Sequence, residues 1–77
     1  MSKDNFRSLN ERYLVILEGQ PITVDGKYHW NKYEASDIER NLKQKLYEKI
    51  EETSNALKAA HLEIQLDSIM IKQVVFN

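Results

Sequence analysis

From Ser36 to Ala60 the apolar residues recur at helical spacing, and this stretch constrains the rest of the fold more than any other. Turned at about 100° per residue, Ile38, Leu42, Leu46, Ile50, Thr53, Ala56, Leu57 and Ala60 fall within an arc of about 120°, the width of a stripe that packs on a core. Only Glu39 and Lys49 intrude on it. Ser36-Asp37-Ile38-Glu39 has the spacing of a capping box, in which the Ser hydroxyl accepts from a free backbone N–H and Glu39 reaches back to the Ser N–H. Asn31-Lys32-Tyr33-Glu34 offers a rival start one turn earlier. The four-residue steps from Ile38 to Ile50 are not the alternating threes and fours of a heptad, so the pattern predicts a helix that covers a sheet, not a long coiled coil.

A helix with one apolar stripe needs a second layer. Arg12-Tyr13-Leu14-Val15-Ile16-Leu17 is rich in β-branched and aromatic residues and is stopped by Gly19 and Pro21, which predicts a strand. Both of its faces are apolar, as expected of a central strand covered on two sides. In Ile22–Trp30 an Asp25-Gly26 pair separates two β-prone runs, the signature of a two-residue hairpin with a type I′ turn. Beyond Ala60 the helical arc breaks, and Leu62-Glu63-Ile64-Gln65-Leu66 alternates like a strand. Apolar parity shifts across Asp67-Ser68, favouring a tight turn over a bulge before the run Ile69–Phe76. Residues 1–10 lack either period and read as a flexible arm ahead of a single α+β domain at 11–77. The expected architecture is a small antiparallel sheet containing the hairpin, one long helix on a face and C-terminal strands, in the order β-β-β-α-β(-β).

With 77 residues and 42% hydrophobic content, the chain folds as one domain with a thin core. It contains no Cys, which removes disulfides and thiolate metal sites as supports and raises the expectation of self-association. Eleven Lys and Arg stand against twelve Asp and Glu, scattered along the sequence, so no duplex-binding footprint is visible. The polar start at Met1-Ser2-Lys3-Asp4-Asn5 and the lack of roughly 18 consecutive apolar residues point to a soluble, cytoplasmic chain with no membrane segment.

The residues that carry chemistry are sparse. His29 and His61 lie in different elements without metal-ligand spacing. Gly19 and Gly26 are the only glycines, too few for a phosphate-cradling loop, a dinucleotide fingerprint or a nucleophile elbow. Glu48, Glu51 and Glu52 read as a solvated helix flank. No catalytic residue, cofactor or metal is therefore assigned. Two groups remain as a candidate interaction surface. Tyr28, Trp30 and Tyr33, near Arg12, Lys27 and Lys32, have the composition of a core rim, a protein-binding patch or a platform for stacking single-stranded bases. Ile69, Ile71, Val75 and Phe76 belong to an apolar strand that is satisfied if central and a template for pairing if at an edge. The expected function is a non-enzymatic protein-interaction module, a regulator, inhibitor or assembly subunit, that binds another protein or itself; single-stranded nucleic-acid binding through the aromatic hairpin is the alternative.

Overall fold

The computed structural model describes residues 11–75, so the expected arm at 1–10 lies outside the described residues. Its elements are β1 (Glu11–Leu17), β2 (Gln20–Pro21), α1 (Lys32–Glu52), α2 (Ala56–Ser68) and β3 (Met70–Val75). The strands form one antiparallel sheet ordered β2-β1-β3, in an α+β arrangement with two helices.

β1 is central in that order, as its sequence predicts. It pairs with β3 from Glu11↔Val75 to Ile16↔Met70 and with β2 through Ile16↔Pro21 and Leu17↔Gln20. The reversal between β1 and β2 is a tight turn in which Glu18 has φ 50 and Gly19 φ 80, the two successive positive values of a type I′ hairpin. A glutamate in the left-handed region is strained. It is held there from the far end of α2, where Ser68 Oγ accepts from the Glu18 N–H at 2.9 Å and Gln65 Nε2 donates to Glu18 Oε1 at 2.8 Å. Nothing lies within 4 Å of the position a Cβ would take on Gly19, so Gly19→Ala is strained by its backbone alone. We expect it to cost about 1 kcal/mol, read as a fall of roughly 4–8 °C in the thermal midpoint.

The Asp25-Gly26 turn forms as expected, with φ 52 and 78 and the reciprocal bonds Val24 N–H to Lys27 C=O at 2.8 Å and Lys27 N–H to Val24 C=O at 3.0 Å. The hairpin is shorter than predicted: of the pairs Val24↔Lys27, Thr23↔Tyr28 and Ile22↔His29 that a two-residue loop implies, Val24↔Lys27 is the one bridge described. Its two arms turn instead to β1, where Ile22 N–H donates to the Val15 carbonyl at 3.0 Å and Trp30 exchanges bonds with Tyr13 at 2.9 and 3.0 Å. The central strand thus collects hydrogen bonds that the short hairpin does not make within itself.

The single long helix of the sequence reading is two helices. α1 starts from the earlier cap: Asn31 Oδ1 accepts from the Glu34 N–H at 2.8 Å, and Glu34 Oε1 accepts from the Asn31 N–H at 3.3 Å. Nothing between Lys32 and Ser36 opposes helix, so the upstream box adds a turn and carries Ala35 into the core at 0% exposure. α1 ends at Thr53-Ser54-Asn55, three residues whose side chains compete for backbone groups. Thr53 Oγ1 accepts from the Asn55 N–H at 3.3 Å, and Asn55 caps α2 by accepting from the Lys58 N–H at 3.1 Å.

Residues 62–66, expected as a strand, are therefore helical. Leu62 is buried and Leu66 packs on the core, one helical turn apart, while Ile64 on the opposite side is 61% exposed. Leu57, placed in the apolar arc of the one-helix reading, is 84% exposed because the break at 53–55 resets the phase of the helix.

Both helices pack on the face of the sheet that carries Tyr13, Val15 and Leu17. The core joins Val15 to Trp30, Ala35, Leu46, Leu62 and Ile69, with Ile38, Leu42, Ile50, Leu66 and Ile71 around it. Expected cover on both faces of β1 is thus found as helices on one. At the margin of the apolar stripe of α1, half-buried Glu39 pairs with Lys43 one turn on, at 3.8 Å. An i, i+4 helix pair of this kind contributes a few tenths of a kcal/mol, about 0.3–0.5.

Candidate interaction surface

β3 is an edge strand. Its direction and register with β1 determine which backbone groups it leaves open. Tyr13 N–H and C=O bond to Trp30, and Val15 C=O accepts from Ile22, so these residues of β1 face away from β3. Arg12, Leu14 and Ile16 must then face β3, because backbone groups alternate along an antiparallel strand. Their partners Val74, Lys72 and Met70 point back at β1. The N–H and C=O groups of Ile71, Gln73 and Val75 consequently point outward, away from the sheet.

Side chains follow the same alternation. Ile71 and Gln73 lie on the helix-covered face, opposite Val15 and Tyr13. Met70, Lys72 and Val74 lie on the other face with Arg12, Leu14 and Ile16. On that second face Met70 is 52% exposed, Lys72 is exposed and Val74 is half-buried.

The residues expected to form an interaction surface separate. Ile69 is buried in the core as the C-cap of α2, and Ile71 packs against the core at the start of the edge. Val75 contributes its backbone to the end of β3, and Phe76 lies outside the described residues. Of the aromatic group, Tyr28 is 49% and Tyr33 82% exposed, but Trp30 is 4% exposed. The bridge to Tyr13 puts the indole on the covered face of the sheet, where no base or partner side chain can stack on it. Tyr28 instead meets His29 edge to face, with ring centroids 5.0 Å apart.

Concave surface is modest. A depression of about 600 Å³ lies against the turn between the helices, lined by Lys49, Glu52, Thr53, Ser54, Asn55, Lys58 and Leu62. Its polar groups are side chains of an exposed connection and the cap of α2. A smaller one of about 160 Å³ lies between Arg12, Lys27, His29, Trp30, Asn31 and Glu34. Among the described residues no group of three or more His, Asp or Glu is placed to hold a metal ion, and no helix is long and apolar enough to cross a membrane. Neither a family model, a curated protein nor a solved structure matches the chain. Among the described residues, the surface that stands out on physical grounds is the outer edge of β3, where backbone donors and acceptors point away from β1 beside the exposed side chain of Met70 and the half-buried Val74.

Proposed function

We propose that this chain is a small binding module that acts without catalysing a reaction, and that it engages protein by accepting a strand along β3. The outward N–H and C=O groups of Ile71, Gln73 and Val75 carry this reading, since an added strand gains main-chain hydrogen bonds there without displacing any part of the sheet. Met70 and Val74 beside that edge supply apolar contact, and Lys72 between them limits indiscriminate pairing. A regulator, inhibitor or assembly subunit of this kind works through occupancy of its edge.

Gln73→Pro tests the proposal directly. The Gln73 N–H points away from β1, so proline removes no bond of the native ladder, and edge positions of this type are where strands tolerate it. We expect the variant to keep the wild-type far-ultraviolet circular dichroism and to lose partners that the wild type retains in affinity capture from host extract. Equal capture by a folded Gln73→Pro protein would rule out β3 as the binding edge.

A further inference from the structure

We infer that the strand accepted by β3 is β3 of a second copy, paired antiparallel about a two-fold axis that passes beside Gln73. The inference rests on the strand-addition reading above and specifies its partner. An isologous contact needs a patch that is complementary to itself, and the residues of β3 decide which two-fold registers are allowed.

Centring the axis on Lys72 places two ammonium groups directly opposite each other on one face, which is destabilising. Moving the axis by one residue to Gln73 sets Lys72 opposite Val74 of the second copy, so the charges separate and each lysine stem lies along an apolar neighbour. In this register the outward backbone groups match: Ile71 exchanges bonds with Val75 of the second copy, and Gln73 with its own counterpart. The two Gln73 side chains, exposed and on the helix-covered side, face each other as amides that can both donate and accept. The result is a continuous six-stranded sheet, ordered β2-β1-β3-β3-β1-β2. Self-pairing also supplies the support that a small chain without Cys has no disulfide to provide.

A residue opposite itself gives a distinctive test. Gln73→Lys and Gln73→Glu each put like charges together across the axis, whereas mixing the two variants puts opposite charges together. By light scattering over a concentration series, we expect the wild type to be dimeric and each variant alone to dimerise at least about tenfold more weakly, with a 1:1 mixture recovering dimer. A monomeric wild type overturns the inference. So does a dimer indifferent to both substitutions, or variants whose mixture stays monomeric. A monomeric wild type that still captures a protein lost by Gln73→Pro would reject self-pairing while leaving strand addition standing.

Discussion

Trp30→Ala is expected to destabilise the domain by about 3–5 kcal/mol, the cost of removing a large aromatic side chain from a packed core. Trp30 is 4% exposed and joins Val15, Ala35, Leu46 and Leu62 in one cluster, so its loss opens a cavity against both the sheet and α1. A domain of this size has a total stability near the lower end of about 5–15 kcal/mol, so the variant should retain no more than about 2 kcal/mol and be only marginally folded at room temperature. Urea denaturation followed by far-ultraviolet circular dichroism measures the effect. Tyr33→Ala is the matched control: Tyr33 is 82% exposed on the first turn of α1, and its loss should fall within about 0.5 kcal/mol. A small effect at Trp30 together with a large one at Tyr33 would reverse the assignment of core and surface.

The second large effect is expected at Leu62. Leu62→Ala should cost about 2–5 kcal/mol, whereas Ile64→Ala should cost no more than about 0.5 kcal/mol. The contrast discriminates between helix and strand. In a strand, Leu62, Ile64 and Leu66 would share a face and the two substitutions would be comparably damaging. In α2, Leu62 is 7% and Ile64 61% exposed, on different sides of the helix. Equal losses in urea titrations of the two variants would contradict the helical assignment.

Those residues also show where sequence reasoning reaches its limit. Leu62 and Leu66 are four apart, and a spacing of four fits both one helical turn and two strand repeats. Only Ile64 weighted the pattern toward a strand, and an exposed isoleucine on a helix is unremarkable in itself. The break at Thr53-Ser54-Asn55 was equally hard to see, because Thr53 falls on the apolar arc while its hydroxyl is engaged with the Asn55 N–H. By contrast, the Asp25-Gly26 turn was legible because few residue pairs tolerate successive positive φ. The turn at Glu18-Gly19 was missed for the converse reason: glutamate does not favour that conformation, and the bonds from Ser68 and Gln65 that hold it come from some fifty positions away.

At the candidate surface, the apolar run from Ile69 was legible as a strand, but its edge position was not. Strand order depends on which neighbour β1 accepts on each side, and the short β2 with the bridge at Trp30 occupies one side and leaves the other for β3. Trp30 parts from Tyr28 and Tyr33 because Tyr28 and Trp30, two apart, share a face only if the chain between them is extended in the sheet, and residues 28 and 29 are not.

The pairing of Glu11 with Val75 has a consequence for how the domain is made. The sheet closes only between the first and last described elements, so a chain emerging from the ribosome cannot complete its core until β3 has been synthesised. Until then the helices can zip up locally, while β1 waits with the flank reserved for β3 bare. Loss of β3 by premature termination or proteolysis would leave that bare flank permanently, turning the central strand of the sheet into a site for aggregation or chaperone capture.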